Sequence, residues 1–181
     1  QIIGASIGNI EMFEKTQHQA RTDGLTGFAN HRTFYESLEK ELKRSDRYGG
    51  KLSIVMLDVD DLKQINDNYG HRVGDKALRQ ISENIKSCIR QIDIPARYGG
   101  DEFAVILSNS NIDQAEVAAK RMIERIASSP LIWKNEEIKL SVSVGICEYD
   151  THASAESIIS KSDKALYDAK KAGKNTLRVS N

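Results

Sequence analysis

The chain is poor in the residues that staple, kink or anchor a protein. Its 181 residues include two cysteines, two prolines and one tryptophan. Two cysteines cannot build a disulfide scaffold. Cys88 in ISENIKSCI and Cys147 in SVSVGICEY both lie on apolar stretches, so buried free thiols in a reducing compartment are expected. So little proline excludes a Pro-rich linker. No apolar run reaches the roughly 20 residues of a membrane span, and nothing resembles a signal peptide. Net charge is also missing, because 26 Lys and Arg balance 26 Asp and Glu. With no bulk field, neither nucleic acid nor membrane is an expected partner, and affinity for phosphate must be local. The histidines, His18, His31, His71 and His152, show no metal-ligand spacing and read as surface or structural residues. Walker loop, nucleophile elbow and zinc motif are all lacking.

What remains is a 39% hydrophobic, 29% charged composition, enough for one domain with a short extension. The chain opens on Gln1 rather than methionine, which reads as a fragment whose amino-terminal sensor or membrane segment has been cut away. In residues 1–20, Ile3, Ile7 and Ile10 at 4-3 spacing, with Phe13 following, predict a linker helix. Residues 21–181 read as one α+β domain. Helices are expected from about Asn30 to Tyr48, Leu62 to Asn68, Val73 to Cys88, Asp113 to Ala127 and Ser154 to Ala172. Strands are expected at Leu52 to Val59, Phe103 to Leu107, Leu140 to Tyr149 and Thr176 to Val179, with a hairpin at Gly99-Gly100. Stripped of minor helices the order is β-α-β-β-α-β, the ferredoxin-like or palm arrangement, with a central antiparallel sheet flanked by helices.

The run Arg97-Tyr98-Gly99-Gly100-Asp101-Glu102-Phe103 concentrates the chemistry. Gly99 and Gly100 offer bare backbone that a phosphate can approach closely, and two carboxylates follow directly. Asp58-Val59-Asp60-Asp61 ends another apolar strand. Two acidic strand ends in one small domain point to magnesium-dependent phosphoryl or nucleotidyl transfer. Each acid taken singly reads better as a solvated turn residue; the constellation does not. Lys63 lies near the start of the short helix, whose free N–H groups favour an anion. Lys170 and Lys174 bracket the end of the last helix, to bind phosphate or simply to complement the helix dipole. Asn66 and Asp75 are candidates to read a purine edge, although Asp75 also suits a helix start on dipole grounds alone. Tyr167 and Trp133 read as packing residues rather than base-stacking ones.

These residues resemble the GGDEF domain of bacterial diguanylate cyclases. Besides Gly99 to Phe103, the likeness includes Asp23-Gly24-Leu25-Thr26-Gly27-Phe28-Ala29-Asn30, Leu57-Asp58-Val59-Asp60-Asp61-Leu62-Lys63 with Asn66-Asp67, Gly70-His71 and Gly74-Asp75. It ends with Ser162 to Tyr167, Ala169-Lys170 and Gly173-Lys174-Asn175. The resemblance implies condensation of two GTP into cyclic di-GMP and two pyrophosphates. It implies Asp58 and Glu102 as metal ligands with the Val59 carbonyl assisting, and Asp101 beside two magnesium ions, manganese being the alternative. Asn66 and Asp75 would then bind guanine, and Lys63, Lys170 and Lys174 the phosphates. With one GTP per domain, catalysis requires a homodimer, which the amino-terminal helix would align. Arg90-Gln91-Ile92-Asp93 stands where the family carries its R-x-x-D product-inhibition site, with Arg121 as a second arginine for cyclic di-GMP.

Two positions depart from the family's pattern. His31 stands where arginine is common, and Lys174 keeps the charge of the usual arginine without its guanidinium fork. Two other functions compete with an active cyclase: a silent domain that senses cyclic di-GMP or GTP, and a cyclase making a mixed dinucleotide. The intact Asp101-Glu102 pair argues against the first, and the acceptor Asp75 against the second. A purely structural dimerisation module leaves the acids unexplained.

Overall fold

A computed structural model describes residues 21–180, so the linker helix expected over residues 1–20 lies outside the described residues. The sheet is built around β2 (Leu52–Val59), all eight residues of which are buried. Its side chains alternate between two faces, as the period of a strand requires. Val55, Leu57 and Val59 join one core, and Ile54 and Met56 join the other. Such a strand can only be central.

β2 pairs antiparallel with β4 (Glu102–Ser108) on one side and with β7 (Val142–Glu148) on the other. Adding β1 (Ala29–Asn30), β3 (Ile94–Arg97) and β8 (Leu177–Val179) gives the sheet order β1-β3-β4-β2-β7-β8. β1 and β8 pair parallel to their neighbours.

The first core lies under α3 (His71–Ser87) and α4 (Ile112–Ala127), which bury Val73, Ala77, Ile81 and Ile85, and Ala115, Ala119, Met122 and Ile126. These are helical spacings, so each helix turns one stripe inward. The second core lies under α1 (His31–Tyr48), through Phe34, Leu38 and Leu42, and α5 (Ala155–Lys171), through Ile158, Ile159 and Leu166. The short α2 (Leu62–Tyr69) links β2 to α3. The β2-α3-β3-β4-α4-β7 order, with its antiparallel β3-β4-β2-β7 centre, is the expected ferredoxin-like arrangement, and helices flank the sheet.

Local chemistry sets the boundaries. The Asn30 side chain caps α1 by accepting from Thr33 N–H at 3.0 Å, and Gly49, at φ +69°, ends it. Asn111 and Gln114 form a reciprocal capping box on α4. The Trp133 region forms a hairpin of β5 (Leu131–Trp133) and β6 (Glu136–Ile138). Trp133 packs against the first core, with Lys76 Nζ 4.3 Å from its ring centre. Both cysteines are buried and free.

Three details differ from the sequence expectation. The strand expected over 140–149 is trimmed to Val142–Glu148. β1 precedes the helix expected from Asn30 and carries no signal of its own, because two residues show no periodicity. Tyr167 is not a packing residue: it is 56% exposed, with Lys171 Nζ 4.3 Å from its ring centre.

Candidate active site

The β2–β4 register places Asp58 directly opposite Glu102. Facing residues on an antiparallel pair have Cβ atoms about 4.5–5.5 Å apart, so the two carboxylates share one end of the sheet. Val59 N–H donates to the Asp101 carbonyl at 3.0 Å, extending the pairing into the turn. Across that turn, Tyr98 and Gly99 N–H donate to the Glu102 carbonyl at 2.8 and 3.1 Å. A Cβ on Gly99 would stand 2.5 Å from Glu102 Oε2, so the Glu102 side chain lies over a backbone that only glycine leaves open.

Arg97, to which sequence reasoning assigned no role, fixes this turn. Its Nη1 donates to Asp23 Oδ2 at 3.1 Å, and its Nε and Nη2 donate to the Gly100 carbonyl at 3.2 and 2.6 Å. Burial alone would raise the Asp23 carboxyl, but hydrogen bonds from Thr26 and the nearby guanidinium outweigh it and hold the group below its usual range. The only sequence signal for this tie was an arginine, with its rigid donor fork, beginning the glycine turn.

Asp58 is 7% exposed. Burial pushes its carboxyl up, Lys170 pulls it down, and Asp101 and Glu102 push it up again; the net shift is upward. Lys170 Nζ lies 2.7 Å from Asp58 Oδ2, and Lys174 Nζ lies 2.7 Å from Asp61 Oδ1. The hydrogen bond to Asp61 raises the Lys174 ammonium further. Two of the three lysines expected to meet phosphate thus rest on the acidic edge.

The edge fits a hard divalent cation by its donor chemistry: crowded carboxylate oxygens, one of them on a buried group whose ionisation is costly. No set of three or more His, Cys, Asp or Glu side chains forms a ready-made metal cage among the described residues. Magnesium characteristically uses one or two carboxylates together with substrate phosphates instead of such a cage. The facing carboxylates of Asp58 and Glu102 fit such a pair.

Beside the edge opens a cleft of about 490 Å³ lined by Lys63, Asn66, Asp75, Gly100 and Asp101 among others. His71 and Arg97 line it too, and neither was foreseen there. Asp58, Glu102, Gly99, Lys170 and Lys174 stand outside the lining. Asn66 lies directly against α3, because a Cβ on Gly74 would be 1.9 Å from Asn66 Oδ1. The glycine before Asp75 is therefore what lets both candidate guanine readers face one space. Just before Leu62, which lines the cleft, Asp61 at φ +56° starts α2 with no side-chain cap hydrogen bond. That leaves the first-turn N–H groups beside Lys63 available to an anion.

A second cavity of about 450 Å³ brings Arg90, Asp93 and Arg121 together. Asp93 Oδ2 accepts from Arg90 N–H at 2.7 Å, while Oδ1 is buried and without a partner. Arg121 donates to the Cys88 carbonyl. A third cavity, about 510 Å³, includes Glu41, Arg44, Ser45 and Tyr48 and lies at the opposite end of β2 from Asp58. It is larger, but it gathers no comparable acids.

The family model described as "Diguanylate cyclase, GGDEF domain" matches residues 20–176. Diguanylate cyclase DgcP of Pseudomonas aeruginosa is 37% identical over 166 residues, covering 92% of this chain and 25% of that protein. Diguanylate cyclase A of Treponema denticola is 36% identical over 179 residues, covering 97% of this chain and 47% of that one. The chain thus spans a quarter to a half of these curated relatives. Among solved structures, the coiled coil and GGDEF domain of DgcB from Caulobacter crescentus, in complex with c-di-GMP, superposes with a TM-score of 0.91 at 27% identity. That match covers 98% of this chain and 95% of DgcB's.

Proposed function

The chain belongs to the diguanylate cyclase GGDEF-domain family, and from that premise we propose that it condenses two GTP into cyclic di-GMP. The observation that carries the proposal is the juxtaposition of the Asp58–Glu102 pair with the cleft lined by Lys63, Asn66, Asp75 and Asp101. Asn66 and Asp75 orient guanine, the carboxylate accepting from N1–H and N2–H₂ and leaving an unpaired acceptor when adenine is offered. This favours a guanine-only product over a mixed dinucleotide. Lys63 and the α2 N–H groups receive phosphate oxygens. Lys170 and Lys174 exchange their acidic partners for phosphate as the nucleotide enters.

Asp58, Glu102 and the Val59 carbonyl would hold two magnesium ions, or manganese in their place, with Asp101 alongside to help activate the hydroxyl. Such ions, when bound, lower the pKa of the attacking 3′-hydroxyl and neutralise charge on the departing pyrophosphate. The 3′-hydroxyl of one GTP attacks the α-phosphate of another; the P–O bond to pyrophosphate breaks, and the hydroxyl proton leaves to base. Repeating this in the reverse sense closes the ring. With one such nucleotide cleft among the described residues, the active species is a homodimer, aligned by residues 1–20 and governed by a sensor domain amino-terminal to them. GTP as substrate places the domain in the bacterial cytoplasm. Product inhibition is assigned to Arg90, Asp93 and Arg121, supported by the unpartnered Asp93 Oδ1 in their shared cavity.

The test is product analysis after incubation with GTP and magnesium at high protein concentration. Cyclic di-GMP from the parent chain, but none from Asp58→Ala or Glu102→Ala, is expected. Nucleotide binding without turnover, persisting in a forced dimer, would establish a sensor instead.

A further inference from the structure

Asp60 has no part in the mechanism above, yet it is only 6% exposed and has no lysine or arginine in ion-pair contact among the described residues. An ionised carboxylate in such a place is costly unless hydrogen bonds replace water. Three donors do so. Ser143 Oγ–H donates to Oδ1 at 2.7 Å, while Ser141 Oγ–H and Asn175 N–H donate to Oδ2 at 2.8 and 3.0 Å. Asp60 N–H also donates to the Ser141 carbonyl at 3.0 Å.

The donors come from different segments. Ser141 and Ser143 stand at the entry to β7, and Asn175 lies in the turn between α5 and β8. That turn places Lys174 at φ +63° and Asn175 at φ +46°, two consecutive non-glycine residues in the left-handed region. Each such residue costs on the order of 1 kcal/mol and persists only where surrounding contacts impose it. The Asn175 N–H bond to Asp60 is a contact that does so, and the turn it holds aims Lys174 at Asp61.

We infer, on the reading that this chain binds GTP for condensation, that Asp60 is a positioning residue. It locks the turn carrying Lys174 against the acidic strand end and so registers the phosphate-binding ammonium on the substrate. Asp60 acts through its hydrogen bonds to Ser141, Ser143 and Asn175.

The test is a double-mutant cycle read as the dissociation constant of α,β-methylene GTP with magnesium, which reports binding without turnover. Asp60→Ala and Lys174→Ala are each expected to weaken binding about tenfold, the scale of one charge-assisted contact. The double variant should be no worse than about tenfold, because residues acting through one another are not additive. Asp60→Asn, which keeps an acceptor for Asn175 N–H, should restore most of the loss. If Asp60→Ala does not fold, Asp60→Ser takes its place in the cycle. An additive, roughly hundredfold loss in the double variant, or no rescue by asparagine, overturns the inference. Failure of the parent chain to bind the analogue removes the GTP reading, and this inference falls with it.

Discussion

At the scale of single residues, the site depends on what two positions do without or must tolerate. Gly74 lacks the Cβ that would collide with Asn66 Oδ1. Gly74→Ala should raise the KM for GTP about tenfold or more by displacing Asn66. It should leave stability nearly unchanged, because alanine in a helix gains about 1 kcal/mol over glycine. Steady-state kinetics beside a urea melt separate the two effects; an unchanged KM would remove Asn66 from guanine recognition. Asp58 tolerates burial among like charges, which raises its carboxyl in the folded state. A raised folded value means that the protein without metal gains stability as pH falls and loses it as pH rises through that value. Asp58→Asn should therefore be more stable than the parent at pH 7, by about 1 kcal/mol. The difference should vanish at a pH below the ordinary aspartate range, while turnover is abolished throughout. Melts at both pH values decide it; a destabilised variant at pH 7 would show that the Lys170 contact outweighs burial.

At the scale of elements, α5 delivers Lys170 because it lies directly on β7. A Cβ at Gly145 would stand 2.1 Å from the Ser162 carbonyl oxygen and 2.3 Å from Leu166 N, both backbone atoms that cannot rotate away. Gly145→Ala should cost about 3 kcal/mol or more, at or above the usual upper end for overpacking. It should also weaken nucleotide binding by lifting the helix; denaturant melts with binding of the analogue would show both. Elements of this kind were legible where periodicity runs long. Ala115, Ala119, Met122 and Ile126 announce α4, and the unbroken apolar run of β2 announces a central strand. β1 was not, since a two-residue strand is defined only by its partner β3. The acids of the site were legible from their place at strand ends. The tie between Arg97 and Asp23 was not, because only the folded chain closes a separation of 74 residues. The same holds for the lysine partners of Asp58 and Asp61.

At the scale of the whole molecule, strand β4 separates the two cavities. Glu102 opens the strand at the acidic edge, while Leu107, near its other end, lines the cavity of Arg90, Asp93 and Arg121. Five residues of antiparallel strand span about 17 Å, and the cavities lie toward opposite ends of α3, one at Gly74 and Asp75 and the other at Ser87. A dinucleotide held by Arg90 and Asp93 therefore cannot overlap GTP bound in the cleft of the same chain. On the proposed homodimer mechanism, inhibition through this cavity would act by keeping two clefts from meeting. Cyclic di-GMP should accordingly lower kcat without raising the KM for GTP. Arg90→Ala should abolish that effect and leave the initial rate intact. In the uninhibited enzyme, the rate per chain should climb with protein concentration until dimerisation saturates, and a fused amino-terminal dimer should remove that climb. Initial rates over a grid of GTP, product and protein concentrations test all of this together. Competitive inhibition would place the product in the GTP cleft, and a concentration-independent rate would mean that one chain suffices.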